Sequence, residues 1–445
     1  MIPELPEEFL NSLEATQGFN RETFVQAHTN TPRITSLRLN PFKPVEMDFP
    51  LGEKIPWTSA AYYLPQRPSF TYDPLFHAGC YYVQEPGSMF IEYAVRTAVD
   101  LSQPLNVLDA CAAPGGKSTL LNGMLKETDL LVSNEFIKSR AGVLADNLGR
   151  WGTANSIVTN NETSKFSALE SFFDLVVVDA PCSGSGLFRK QPEAISEWSP
   201  ESVIACSVRQ KKILADLVPA IKDQGCLVYC TCSYSEAENE DIVQWLIRDF
   251  GFVYQPVKPD KTWNITDTGL GYRFYPDRVK SEGFFCAVLV KTGGSNSAQR
   301  RVRCGTPPTA SERPLLNEFI QQGGLQIIKK GDHFHLLNAA ADQFLAGFDK
   351  HFYFKKAGIS AGTIKGRDFI PAQELAWSIY LSNTIGKQNL DAADAVAYLK
   401  KENFGNYIQV KGFSLMCYKD QGLGWAKLLG NRNNNYLPPE LRILK

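Results

Sequence analysis

The sequence predicts a doubly wound α/β domain in the middle of the chain, and three observations carry that prediction. From about residue 105, short apolar runs alternate with helix-like segments. The runs are continuously apolar, the pattern of strands buried on both faces of a parallel sheet. Asp109, Glu135, Asp179 and Cys232 all follow the ends of these runs. Open α/β sheets bind ligands beyond the carboxyl ends of their strands, so four chemically capable residues share one predicted rim.

Taken in order, residues 105–108 form an apolar run ending at Asp109, and 130–132 form a second ending near Glu135. Residues 156–159 are a weaker third. Residues 175–178 end at Asp179, and 226–229 end just before Thr231. Residues 200–222 read as a helix, and 283–290 as a late strand joining the same sheet. Residues 1–100 read as an extension with a helical piece at 7–15 and a strand at 35–39. The central domain is expected over 101–293. Residues 294–314, rich in Gly, Ser and Pro and carrying Arg300, Arg301 and Arg303, read as a linker. Residues 315–445 are expected to form a separate unit, divided into 315–385 and 386–445. Strand-like pieces at 407–410 and 413–418 and a Gly-rich turn at 422–425 mark its last part.

Bulk properties narrow the function. A chain of 445 residues suits two or three domains. It is 44% hydrophobic and 21% charged, ordinary for a soluble protein. No apolar run approaches the roughly 18 residues of a membrane span, and no signal peptide is read at the N-terminus. The ten cysteines contain no Cys-x-x-Cys pair. Neither a zinc site nor a disulfide framework is expected, and free thiols in a reducing cytoplasm are. A net charge of −1 does not advertise a nucleic-acid partner, although a basic groove is compatible with it.

The first rim segment is Asp109-Ala110-Cys111-Ala112-Ala113-Pro114-Gly115-Gly116-Lys117-Ser118. Small residues let backbone approach a ligand, and the two glycines permit unusual dihedrals. A helix starting near Lys117 presents free amides to a carboxylate or phosphate. Glu135 lies 26 positions after Asp109, close to where an acidic residue holds a nucleoside ribose in such folds. Glu162, after the third run, is a candidate for the adenine edge.

The other rim segments are Asp179-Ala180-Pro181-Cys182-Ser183-Gly184 and Cys230-Thr231-Cys232-Ser233. They bring Cys182 and Cys232 to one cleft. A thiolate suits methylation at a pyrimidine carbon, because its addition to C6 makes C5 enamine-like and able to attack a methyl sulfonium. Asp179 is a candidate to bond the cytosine N3 and exocyclic amine. Spacing alone leaves open which sulfur attacks.

These segments resemble the Nop/Sun family of RNA cytosine-C5 methyltransferases. The likeness rests on Tyr82-Val83-Gln84-Glu85-Pro86-Gly87-Ser88, the 109–118 turn, the 179–184 segment, and Tyr229-Cys230-Thr231-Cys232-Ser233 followed by Glu238-Asn239-Glu240. Arg140, Asn147 and Arg150-Trp151-Gly152 also match. The resemblance implies a Rossmann-like class I methyltransferase domain, with a mostly parallel, seven-stranded sheet, and S-adenosylmethionine as cofactor. It implies that Cys232 is the nucleophile and that Cys182 assists release. It implies that Cys111, Ala112, Ala113, Pro114, Gly115, Gly116, Lys117, Glu135, Arg140, Glu162 and Asp179 line the cofactor pocket, without a metal. Family members commonly carry Asp at the positions of Glu135 and Glu162, and Thr at Ser118.

The tail (Gly424-Trp425-Ala426-Lys427 and Asn435-Tyr436-Leu437-Pro438) resembles members acting on bacterial small-subunit ribosomal RNA, where a PUA-like module follows the catalytic domain. This implies 16S rRNA in the small ribosomal subunit as partner, a cytoplasmic monomer, and no membrane. Arg38-Leu39-Asn40 and the N-terminal region are expected to add RNA contacts, and Arg189-Lys190 to grip the strand around a flipped base. The alternatives are the same chemistry on tRNA, Cys182 as nucleophile, and a non-catalytic ribosome-assembly protein.

Overall fold

The computed structural model describes residues 4–30, 32–293, 304–321, 323–405, 411–430 and 432–444. Two short helices, α1 (Glu7–Leu13) and α2 (Arg21–Asn30), come first. A three-stranded antiparallel sheet follows, in which β1 (Ser36–Leu39) pairs with both β2 (Ala61–Tyr63) and, after α3 (Pro74–His77), β3 (Tyr81–Val83). Helix α4 (Phe90–Ala98) leads into the central layer.

That layer unfolds in the order β4 (Asn106–Asp109), α5 (Gly116–Asn122), β5 (Leu130–Asn134), α6 (Lys138–Trp151), β6 (Ser156–Thr159), β7 (Phe173–Asp179), α7 (Glu193–Glu197), α8 (Pro200–Leu217), β8 (Ile221–Thr231), α9 (Glu240–Phe250), β9 (Phe252–Tyr254), β10 (Thr266–Asp267), β11 (Tyr272–Phe274) and β12 (Phe284–Lys291). Strands β4 to β8 run parallel, in the spatial order β6-β5-β4-β7-β8. The order reverses between β4 and β7, which is where such sheets bind ligands. Antiparallel β12 and then β9 complete the seven expected strands.

The continuous apolar runs have a direct cause. Leu175 and Val177 enter a core shared with α4, α5 and α6, while Val176 and Val178 enter a second core under α8 and α9. Successive side chains point to opposite faces, so a strand covered on both sides is apolar at every position.

The sheet is larger than expected, with ten strands. The hairpin β10–β11 extends one end. At the other, beyond α10 (Arg313–Asn317), β13 (Gln326–Lys330), β14 (His333–Leu337) and α11 (Ala339–Phe348), strand β15 (Phe354–Ala357) pairs antiparallel with β6. Phe344, Leu345 and Phe352 share a core with Phe166, Phe172 and Leu130. Residues 315–385 are therefore welded to the central sheet, not set apart as the sequence suggests. Periodicity cannot show an edge strand whose partner lies some two hundred residues earlier.

The remaining C-terminal elements are β16 (Ile359–Lys365), β17 (Asp368–Pro371), α12 (Gln373–Trp377), β18 (Lys387–Asn389), α13 (Ala392–Leu399), β19 (Lys411–Tyr418), β20 (Gln421–Leu429) and β21 (Asn433–Asn435), forming two four-stranded sheets together with β13 and β14. The expected turn at 422–425 is instead strand. The hairpin turns one step earlier, where Lys419 and Asp420 take φ of 48° and 62°. Gly422 and Gly424 serve close packing, since a Cβ would meet Ala376 O at 2.1 Å and the Tyr398 hydroxyl at 2.3 Å. The helix expected to reach residue 222 stops at Leu217, because Pro219 follows. Residues 407–410 and Arg300, Arg301 and Arg303 lie outside the described residues; in the described part of the expected linker, the Cys304 amide donates to Asp342 at 3.0 Å. Among the described residues no helix is long and apolar enough to cross a membrane.

Candidate active site

The turn after β4 is fixed from behind. Asp109 Oδ2 accepts from Ser118 Oγ at 2.6 Å, tying the end of β4 to α5. Asp109 Oδ1 is buried with no hydrogen-bond partner, and burial pushes the carboxyl up to about 7. On the outer side, Arg140 and Asn147 of α6 donate to the carbonyls of Ala113 and Pro114, both at 2.8 Å. Arg150 holds Asn147 in turn, at 3.1 Å. Gly115 has φ +112°, and a Cβ on Gly116 would lie 3.2 Å from the Tyr82 ring. The sequence Pro-Gly-Gly thus meets both a backbone and a packing requirement.

Beside it, Glu135 is 5% exposed. Its Oε1 accepts from the Ile137 amide at 2.8 Å, and Oε2 lies 3.6 Å from Arg140. Asn160 donates to the carbonyls of Glu135 and Phe136, holding this strand end open. Lys117 donates to Asp179 Oδ2 at 2.7 Å. Burial opposes the Lys117 charge, but the Asp179 carboxylate reverses that effect and keeps the ammonium protonated. The 111–117 turn, Glu135, Arg140 and Asp179 are therefore linked through the Arg140–Ala113, Arg140–Glu135 and Lys117–Asp179 contacts. Glu162 is exposed, and its carboxylate accepts only a long bond from Ser164, at 3.5 Å.

The sulfurs of Cys182 and Cys232 are 3.1 Å apart. Parallel pairing of β7 with β8 sets Asp179 opposite Cys230, so the two chains leave the sheet side by side. The hydrogen bond to the Cys232 sulfur, and then burial, push the Cys182 thiol well above its ordinary value. Gly186 donates from its amide to the Cys232 carbonyl at 2.8 Å, and a Cβ there would meet the Gly283 carbonyl at 2.5 Å.

Several residues that hold this half escaped sequence reasoning. The Glu238 carboxylate accepts from the Ser183 amide (2.7 Å), Ser183 Oγ (2.6 Å) and Ser233 Oγ (2.5 Å). Asn239 accepts from Thr231 Oγ1 and donates to the Ser233 carbonyl. From the N-terminal helices, Phe9 meets Phe188 and Trp198 at 5.1 and 5.3 Å, and Phe24 meets Tyr234 at 5.1 Å. The run Glu238-Asn239-Glu240 was the one visible trace of this layer, and it carried no indication of partners 55 residues away.

Two expected RNA contacts are corrected. Arg189 is 4% exposed and lies 3.6 Å from the equally buried Glu282, while Lys190 is exposed. Arg38 is buried over the Trp151 ring and donates to Gln84 and Thr119. Asn40 donates to the carbonyls of Gly79 and Trp151. These polar side chains are consumed in joining the N-terminal sheet to the central domain.

Comparison with known proteins agrees with this architecture. Residues 97–290 match the family model described as 16S rRNA methyltransferase RsmB/F. Residues 5–86 match the N-terminal domain of 16S rRNA methyltransferase RsmF, and 387–443 match the methyltransferase RsmF PUA domain. Similar curated proteins are the ribosomal RNA small subunit methyltransferases F of Pectobacterium atrosepticum (28% identical, covering 98% of this chain and 96% of that one) and Aeromonas salmonicida (29%, 98% and 97%). A methyltransferase homolog protein from Pyrococcus horikoshii is 25% identical over 64% of this chain and all of its own, with a TM-score of 0.52. The structure of NSun6 from Pyrococcus horikoshii with SFG shares the fold, at 18% identity over 66% of this chain and 100% of that one, TM-score 0.56. Three models in the same order, with relatives matching from end to end, place the chain in the RsmB/F family of methyltransferases, in the form that carries RsmF-type N-terminal and PUA domains.

Proposed function

We propose that the chain methylates C5 of a cytosine in 16S rRNA of the small ribosomal subunit, using S-adenosylmethionine, through a covalent bond from Cys232 to C6. The observation that supports this most is the pair of sulfurs 3.1 Å apart beside the Lys117–Asp179 pair.

The residues present fit the cofactor. The close-approach glycines, the buried Glu135 carboxylate for ribose hydroxyls, and the unpartnered Asp109 Oδ1 make a polar cradle at the switch point. Bound S-adenosylmethionine supplies the electrophilic methyl group. Cys232 as thiolate attacks C6 of a ring protonated at N3, and Asp179, paired with Lys117, accepts from that N3–H and from the exocyclic amine, so that no net negative charge builds on the ring. Electrons pushed to C5 take up the methyl. A base then removes the C5 proton, and the C6–sulfur bond breaks, returning its electron pair to sulfur. Cys182, whose thiol holds its proton at neutral pH, donates the hydrogen bond that stabilises the Cys232 thiolate and assists that departure.

The cytoplasm, where the small subunit is assembled, is the compartment this reading requires, and RNA contacts by the N-terminal and C-terminal domains form part of the same proposal, with limits of 1–100 for the first, 101–293 for the catalytic domain and 386–445 for the last. The test is labelled-methyl transfer by purified protein to 30S particles, naked 16S rRNA and tRNA, with the product mapped by bisulfite sequencing. A new 5-methylcytosine in 16S rRNA is expected. Labelling of tRNA alone would move the substrate, and no transfer to any RNA would favour a non-catalytic assembly role.

A further inference from the structure

The two sulfurs sit on separate loops, joined in the backbone by the bond from the Gly186 amide to the Cys232 carbonyl at 2.8 Å. Cys182 leaves β7 through Ala180-Pro181, and Cys232 leaves β8 after Thr231. Ser185 Oγ accepts from the Tyr234 amide at 3.0 Å, and one buried carboxylate bonds the residues next to both cysteines. Glu238, in a short 3-10 turn over residues 236–238, is fully buried. One of its oxygens accepts from the Ser183 amide, and the other from the hydroxyls of Ser183 and Ser233, the residues directly after the two cysteines. Gln210 of α8 donates to the Pro181 carbonyl at 3.0 Å and approaches Glu238 at 3.5 Å. The carboxylate is itself held in place: the Tyr229 hydroxyl donates to the Glu238 carbonyl at 2.5 Å, and the next residue, Asn239, bonds both Thr231 and Ser233.

We propose that Glu238 is a positioning residue for methyl transfer: its carboxylate clamps the Cys182 loop to the Cys232 loop and sets the approach of the two sulfurs. The proposal rests on the reading that both cysteines act in the reaction. A buried carboxylate is costly unless its oxygens are satisfied, and here the partners that satisfy it are the residues following the two thiols. Its charge has a second consequence. The groups facing Cys182 are Cys232, Tyr229 and Glu238, with the Gly184 amide opposing them. The negative charge of Glu238 favours the protonated Cys182 thiol, the form that can donate to the Cys232 sulfur.

Two substitutions separate geometry from charge. Gln at 238 keeps the shape, and the two serine hydroxyls can reverse their roles toward its amide, so E238Q removes mainly the charge. E238A removes the clamp. In the full-length protein with S-adenosylmethionine and 16S rRNA, E238A is expected to lose about 10²-fold in kcat, the scale for an ångström-level misplacement, with KM for RNA little changed. E238Q is expected to lose less, and to move the alkaline limb of the kcat profile to lower pH. A second readout needs no turnover: the pH at which Cys182 becomes half-reactive toward iodoacetamide, mapped by mass spectrometry, is expected to fall in E238Q. Should E238A fail to fold, E238Q decides. Wild-type turnover with an unmoved alkylation midpoint in E238Q would overturn the proposal. If wild type itself transfers no methyl, the functional reading fails, while the alkylation shift in E238Q still tests the influence of the Glu238 charge on Cys182, and the same shift measured in E238A tests the clamp.

Discussion

The two halves of the rim are built by opposite strategies. The turn after β4 is contiguous, and its neighbours brace it from outside: α6 takes the Ala113 and Pro114 carbonyls through Arg140 and Asn147, leaving the inner edge clear. The cysteine half is assembled from separate loops, bridged by the Glu238 carboxylate and roofed by aromatic residues of α1 and α2. A small-molecule cradle tolerates a stiff local frame. Two sulfurs that the proposed reaction uses together need a frame reaching across the fold. Damage to the first half should therefore appear as cofactor affinity, and damage to the second as chemistry.

The largest expected effect lies in the second half. Cys232→Ser is expected to reduce turnover by several orders of magnitude, as loss of an essential nucleophile does, while the dissociation constant for S-adenosylmethionine stays near that of wild type. A parallel loss of cofactor binding, measured by calorimetry, would erase the division between the halves. Next comes the aromatic roof. Phe24 is fully buried against Tyr234, and Phe24→Ala is expected to cost about 3–5 kcal/mol in urea unfolding. At permissive temperature it should lower kcat more than it weakens cofactor binding. The reverse order would show that α2 serves the fold alone.

In the first half, Glu135→Gln is expected to weaken S-adenosylmethionine by about 1.5–3 kcal/mol, the scale of a hydrogen bond to a charged group, without changing the reactivity of the cysteines. The last effect is a pH signature. Asp109 is raised to about 7 by burial, so between about pH 4 and 7 the folded state holds a proton that the unfolded state has released. Stability therefore falls as pH rises across that window, and levels off above it. Asp109→Asn is expected to flatten the slope. A slope unchanged in chemical denaturation at several pH values would remove Asp109 from the account.

The same division explains what the sequence made legible. Residues 109–118, with Glu135 after the next strand, are a local pattern, because strand, turn and helix follow one another in the chain. The apolar runs revealed the parallel strands because both faces of β4 to β8 are covered. The cysteine half was half-legible: the sulfurs follow strand ends, but their bridge joins residue 183 to residue 238 through a buried carboxylate, and a glutamate looks the same in sequence whether buried or solvated. Arg38 and Arg189 misled for the same reason, since a cation engaged by Gln84 or Glu282 reads in one dimension like one waiting for phosphate. The edge strand β15 was hidden because pairing with β6 is set by tertiary packing.

The central claim is that Cys232 attacks and Cys182 releases. Its most direct test is denaturing gel electrophoresis of Cys182→Ala and Cys232→Ala after incubation with 16S rRNA and S-adenosylmethionine. Cys182→Ala should accumulate a covalent RNA–protein adduct, and Cys232→Ala should form none. An adduct in Cys232→Ala, with none in Cys182→Ala, would contradict the account and exchange the two roles.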